Sequence, residues 1–337
     1  MTANEKLQDL LLERSLILER IKGSVSNDLT KVYDELLKNI SKRINESDLT
    51  IKQSERLIKL LEKDLVIPYA ELGNDLNALA QDESKFMLNA VNAAAGIDIA
   101  TTLPTNKTIN KIANASLMEG ATIKNWFGSL EQSLQFDVAR EVRQSIIQGR
   151  TNKEVTNNLK NILGTSLRHS QTLARTAVST ISNDVRMQTI NENEDIFKGY
   201  KWSATLDSRT RIEHFLLDGA LWDLNKKGLN EKGKKYYFRT APHGWNCRCI
   251  LLPLIKSFRE VGIDLDEIPD RTRASLDGSV PADLKATDWF ETKSKAFQKQ
   301  YLGEARYELF KEGKITLSDL ISKSGETLTI KELVALS

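Results

Sequence analysis

The chain has 337 residues and a mass of 38.0 kDa, room for two or three domains with a substantial core, which excludes a mini-protein held together by staples. Its 48 basic and 46 acidic residues leave a formal charge of +2, with 28% charged and 40% apolar residues, which excludes a disordered polyelectrolyte and a wholly basic nucleic-acid coat. Only two cysteines occur, Cys247 and Cys249, and charges break the apolar N-terminal stretch; a secreted disulfide scaffold is excluded and the chain reads as cytosolic.

The longest charge-free apolar-leaning stretch, Phe86 to Ile97, is 12 residues with two asparagines, short of the ~20 a membrane span needs. Charge is unevenly placed. Residues 1–200 carry 25 positive and 26 negative groups, residues 201–260 carry 12 and 6, and residues 261–337 carry 11 and 14. The basic part also holds both cysteines and two of the three histidines.

The first 92 residues read as helix, with apolar residues three and four apart at Leu7, Leu10, Leu11, Ile17, Leu18, Ile21 and later Leu57, Leu61, Leu65. Helix ends are expected near Gly23 and Pro68. Heptads are not sustained, so antiparallel helices packing on a partner are expected rather than one long coiled coil. Residues 93–120 read as a loop or short helical crossing, and a second helical block starts at Ile123. Thr151 and Glu154 form a capping-box pattern, predicting a helix to about Leu163 that ends at Gly164. Another follows from about Ser170 to Ile190, with Leu173, Ala174, Ala177, Val178, Ile181 and Val185 on one face. Arg175 and Thr176 lie within it. An arginine there either fixes a neighbouring strand or loop through its donor fork or is simply solvated.

Period-two alternation starts at Gly199 with Tyr200, Trp202 and Ala204. Residues 227–235, KGLNEKGKK, read as an exposed loop. A turn at Pro242 to Gly244 leads into a strand carrying Cys247 and Cys249 on one face. Aromatic residues of the tail, Trp289, Phe290, Phe297, Tyr301 and Tyr307, with Leu302, Leu309 and Phe310, recur at helical spacing and read as core, with Gly313 and Gly325 punctuating short helices. The fold class is mainly α with a small α+β module behind a long helical arm, and the arm is expected to be a separate tether.

Four donors of the kind zinc takes are present: His214, His243, Cys247 and Cys249. The alternative is a structural one, in which His243 and Asn246 order a tight turn, Asp207 and Arg209 pair with backbone groups, and the cysteines are small buried residues. His169 reads as a surface residue. Lys226, Lys227, Lys232, Lys234 and Lys235 are candidate contacts to double-stranded DNA, or else a solubilising loop. Glu213 beside His214 admits a zinc-dependent hydrolase, but HExxH, a P-loop, GxSxG and paired nuclease histidines are all lacking, so no catalytic residue is assigned.

The runs LARTAVSTISNDVR (173–186), KWSATLDSRTRIEH (201–214), LLDGALW (216–222) and HGWNCRCILLPL (243–254), with the tail at 287–333, resemble the phage Mu F-type minor head proteins of the phage head morphogenesis family. The resemblance covers roughly residues 120–335. It singles out Arg175, Thr176, Asp207, Arg209, Asp218, Gly219 and Asn246 as the structural motif. The chain departs from the family where many members carry a CxxC pair and this one has Arg211 to His214. Three parts are expected: residues 1–118 as a helical arm whose length suits docking onto a helical partner, here the portal, 119–260 as a Mu F-like head morphogenesis domain, and 261–337 as a helical C-terminal extension. The resemblance implies a minor virion component at the portal vertex, assembled in the host cytoplasm, with the portal protein and other head components as partners and a role in DNA packaging, retention or ejection. A DNA-binding accessory protein is the alternative.

Overall fold

The computed structural model describes residues 3–47, 49–67, 69–257, 260, 272–275, 278–281, 284–322 and 327–336. Pro68 and Gly325, expected helix boundaries, lie outside them. The architecture is mainly α with a small α+β module. Among the described residues, no helix is long and apolar enough to cross a membrane.

Helix α1 (Ala3–Asn45) is a single 43-residue element and runs straight through Gly23, where an end was expected. A helix-interior glycine costs roughly 1 kcal/mol relative to alanine. That is small beside the burial of Leu7, Leu11, Leu18, Leu29, Tyr33, Leu36, Ile40 and Ile44. Helices α2 (Ile51–Asp64) and α3 (Tyr69–Ala95) follow, then α4 (Asn106–Ala115), capped by the Thr105 hydroxyl, which accepts from the Thr108 amide. A two-stranded ribbon, β1 (Leu117–Met118) and β2 (Ala121–Thr122), leads into α5 (Ile123–Ile147).

Helix α6 (Asn152–Asn191) opens with the expected capping box of Thr151 and Glu154. It does not stop at Gly164: the two helices expected there are one. A Cβ at Gly164 would meet nothing within 4 Å, so the glycine sits on an open side while Leu159, Leu163, Leu173 and Ala174 keep the opposite face buried. Helices α1 and α6 lie antiparallel, as successive contacts show. Asn152 Nδ2 donates to the Ile44 carbonyl at 3.1 Å, the Tyr33 hydroxyl bonds Ser166 and Ser170 Oγ at 2.7 and 2.8 Å, and Arg175 Nε donates to Ser26 Oγ at 3.0 Å. Arg175 thus fixes a helix rather than a strand or loop.

The module begins with a 3-10 turn at Glu194–Ile196 and β3 (Phe197–Ser203), two residues before the expected Gly199. Helix α7 (Ile212–Leu216), β4 (Leu221–Asp223), α8 (Glu231–Lys235) and β5 (Ile250–Ile255) complete it. The sheet order is β4-β3-β5, with both pairs antiparallel and Tyr200 opposite Trp222 and Pro253. Trp202 and Trp222 are fully buried. The segment 227–235 is not a plain exposed loop. Asn230 caps α8, and Gly233 lies so close to the sheet that a Cβ would come within 1.9 Å of the Leu221 carbonyl oxygen.

The first described residues of the tail form a hairpin, β6 (Thr272–Ser275) and β7 (Gly278–Pro281). Helices α9 (Ala286–Glu291), α10 (Lys295–Leu302), α11 (Glu304–Lys311) and α12 (Ile330–Leu336) follow, with Gly313 in a left-handed conformation just past α11. Its aromatic residues are core: Trp289, Phe290 and Tyr301 surround Phe215 of α7 at ring separations of 5.4–6.0 Å.

The separate-tether expectation is corrected. Leu7 and Leu11 of α1, with Met87, Ala90, Val91 and Ala94 of α3, share one apolar cluster with Trp202, Cys247, Cys249 and Phe290. Asn4 also mimics a strand partner, its Nδ2 donating to the Ile255 carbonyl at 3.0 Å while its Oδ1 accepts from the Ile255 amide at 2.7 Å.

Candidate metal centre

Trp202 on the central strand donates its indole N–H to the His214 carbonyl at 3.0 Å, and its ring stands edge-on to the imidazole. This pins α7 against the sheet with His214 buried. The other wall is the segment before β5. Asn246 adopts a left-handed backbone (φ 56°) and its amide donates to Thr176 Oγ1 of α6 at 3.1 Å, which turns Cys247 and Cys249 inward. They precede the strand instead of lying on it, but both thiols still converge. His214 Nδ1 is 3.4 Å from Cys247 Sγ and 3.5 Å from Cys249 Sγ, and all three atoms lie within 4.8 Å of one another.

Arg248, between the cysteines, points the opposite way into a two-pronged pair with Asp207, at 2.5 and 2.8 Å. Burial would raise the Asp207 carboxyl, but the Arg248 hydrogen bonds and charge bring it down to about 2. Asp207 also accepts from the Arg209 amide, while the Arg209 side chain is exposed. Asp218, buried, accepts from the Ala204 amide at 2.9 Å, and Gly219 takes a left-handed turn whose amide donates to the Trp202 carbonyl. The predicted motif residues therefore form the frame of the cluster. The exceptions are Arg175, which is bonded to the arm, and the outward-facing Arg209 side chain.

His243 is corrected out of the donor set. Arg211 grips the turn, donating to the His243 and Trp245 carbonyls at 2.9 and 2.6 Å, and the His243 ring is engaged through Nε2 by Arg239. Its ring centre is 5.7 Å from that of His214, beside the cluster but outside it. Arg211 was not foreseen in this role, although the RTR spacing ahead of His214 and the departure from CxxC at Arg211 to His214 both fall on it.

Between the cysteines, a shared hydrogen bond is the largest influence. It lowers the Cys247 thiol, with help from His214, and raises Cys249, where burial adds to it. For zinc, bond lengths of ~2.0–2.3 Å in a tetrahedral shell place donor atoms roughly 3.5–3.8 Å apart. The observed sulfur–nitrogen distances are close to that, and an N,S,S donor set suits zinc. A cavity of about 240 Å³ lined by Arg209, Arg211, Trp245 and Arg248 opens beside the cluster, leaving a fourth position accessible. The outer contact is less favourable. Arg211 Nη1 lies 3.4 Å from His214 Nε2, where a metal-bound imidazole ordinarily offers its N–H to an acceptor.

No carboxylate joins the donor cluster among the described residues. Glu213 accepts from Thr327 of the tail at 2.9 Å, so it is not aimed at a metal-bound water. Of the candidate DNA-contact lysines, Lys232 donates to the Asp218 carbonyl, Lys235 to the Ser318 carbonyl, and Lys226 lies over the Phe238 ring. Lys227 and Lys234 are exposed, as is His169.

Residues 136–252, from within α5 to within β5, match the family described as Phage Mu protein F like protein. The resemblance read from the motifs therefore holds over the stretch that contains all three converging donors. An uncharacterized protein of Haemophilus influenzae is 25% identical over 182 residues, 54% of this chain and 38% of that relative. Minor head protein GP7 of Bacillus phage SPP1 is 22% identical over 304 residues, 85% of this chain and 95% of that relative. The chain thus spans well under half of the Haemophilus protein's length. No solved structure matches.

Proposed function

We propose that this chain is a minor protein of a phage head, built into the capsid near the portal vertex during assembly in the host cytoplasm and acting in DNA packaging, retention or ejection. The observation that carries this reading is the near end-to-end alignment with a minor head protein, 304 residues through the arm, the module and the tail. The Mu F-like match at the centre supports it. The role is structural, with no reacting group assigned. The arm, taken at sequence level as the portal-docking part, offers only its outer helix faces, because its inner face is occupied by α6.

Within this reading, His214, Cys247 and Cys249 hold a zinc ion that ties α7 to the segment before β5. Such an ion supplies a cross-link and stability. Metal content of the purified full chain, and its melting temperature before and after chelation, test this point separately.

The test of the function is mass spectrometry of purified particles and of DNA-free procapsids. The expected result is a copy number comparable to that of the portal and far below that of the major capsid protein, in both kinds of particle. Absence from both, or stoichiometry matching the major capsid protein, overturns the reading. Duplex DNA binding by a protein that never enters particles would favour the accessory-protein alternative.

A further inference from the structure

Helix α2 carries Lys52, Arg56, Lys59 and Lys63, at intervals of four, three and four residues. At 3.6 residues per turn these four share one ridge, and at 1.5 Å per residue the ridge is roughly 16 Å long. All four side chains are exposed, and the ridge lies opposite the buried Leu57, Ile58 and Leu61.

The acidic residues of the same helix are drawn aside by arginines of its neighbours. Glu55 takes a two-pronged contact from Arg143 of α5, at 3.0 and 3.3 Å, and Asp64 is bound by Arg43 of α1. The exposed Glu62 is rotated roughly 90° off the ridge. None of the four cations forms an ion pair with a described residue. The neighbouring arginines thus leave a line of four positive charges facing solvent, with Glu55 within electrostatic reach of Lys59 but held by Arg143.

We infer that this ridge is a docking surface for the phosphate backbone of double-stranded nucleic acid. A linear array of like charges matches a polyanion whose charges recur every ~1.7 Å of axis, so no particular register is required. A protein partner calls for buried apolar or aromatic anchors, and a membrane surface calls for an apolar face. Among the described side chains of α2, no large apolar one is exposed. The ridge lies on the N-terminal arm and is distinct from the lysines of 226–235, three of which are engaged internally. The inference does not depend on the head-protein reading: it concerns binding by the purified chain, whereas that reading stands or falls on particle composition.

The experiment is fluorescence anisotropy of the full-length protein with a labelled duplex of about 30 bp and arbitrary sequence. Four neutralised phosphates predict a log–log salt slope of about −3.6, a loss of about 150-fold in affinity between about 50 and 200 mM salt. A Lys52→Gln/Arg56→Gln/Lys59→Gln/Lys63→Gln variant should keep its melting temperature, because every altered side chain is exposed, and should bind at least about 50-fold more weakly at 50 mM with a slope near zero. Lys227→Gln/Lys234→Gln should bind as the parent does. Equal binding and slope in the quadruple variant overturn the inference. So does loss of binding confined to the Lys227/Lys234 variant, or a parent protein that binds polyglutamate or phosphatidylserine vesicles but not the duplex.

Discussion

Arg211 sets the state of His214. A guanidinium only donates, so the 3.4 Å contact of its Nη1 with His214 Nε2 asks that ring nitrogen to accept, which leaves the ring proton on Nδ1 facing the thiols. Were Nδ1 to hold a metal ion, the ring proton would sit on Nε2 and the contact would set donor against donor. Arg211→Gln replaces a pure donor with a side chain that can accept, and zinc affinity measured by competition with a chromophoric chelator is expected to rise by about tenfold or more. Unchanged or weaker affinity would show that the contact does not govern the ring. Asp207 works on the other side of the cluster. Its carboxyl titrates at about 2 in the folded chain against an ordinary 3.8, so the Asp207–Arg248 pair contributes fully above about pH 4 and is lost as pH falls toward 2. After screening, the contribution is roughly 1 kcal/mol. Urea midpoints of the parent and Asp207→Asn should differ at about pH 6 and the gap should shrink to roughly a third by about pH 2.5; a gap unchanged in acid would locate the effect elsewhere. The sequence made the donor types legible, with three of four candidates converging. It did not reveal that His243 stays outside the donor set, where Arg239 engages its ring and Arg211 its carbonyl.

At the scale of elements, the buried polar groups between helices carry the specificity that apolar faces lack. Glu83 of α3, fully buried, receives Arg14 Nε of α1 at 2.9 Å and Arg186 Nε of α6. Arg14 also reaches the exposed Asp82. One carboxylate therefore registers three helices, although Arg186 Nη2 has no partner among the described residues. Glu83→Gln leaves the buried Arg186 without its carboxylate and Arg14 with Asp82 alone, and is expected to cost about 3 kcal/mol in urea unfolding. Asp82→Asn should cost under about 1 kcal/mol. Equal costs for the two would refute the registering role. The helices themselves were largely legible from apolar spacing and from the Thr151–Glu154 box. Their lengths were not. Gly23 and Gly164 read as stops because local propensity penalises them, but an antiparallel pair some forty residues long recovers that penalty many times over by burial on the opposite face.

At the scale of the whole chain, what sequence could not show was that the arm is part of the globule. Amphipathic helices announce an apolar face without saying what covers it, and here the cover is α6 and the sheet of the same chain. Six apolar side chains from α1 and α3, Leu7, Leu11, Met87, Ala90, Val91 and Ala94, enter the cluster that holds Trp202 and both cysteines. At roughly 1.5–3 kcal/mol for each large one, their removal rivals the ~5–15 kcal/mol that holds a typical domain together. A chain starting at residue 96 would also lose Tyr33 from Ser166 and Ser170, both Glu83 contacts, and the Asn4 pairing with β5. It is expected to fail to reach a packed native state, binding 8-anilinonaphthalene-1-sulfonate and lacking the near-ultraviolet dichroism of Trp202 and Trp222, while the full chain unfolds in one cooperative transition. A sharp transition with native near-ultraviolet signal in the truncated chain would restore the arm as a detachable tether. In that case a partner could engage the inner face of α1, whereas in the packed chain any partner must read the outer ridges of the bundle.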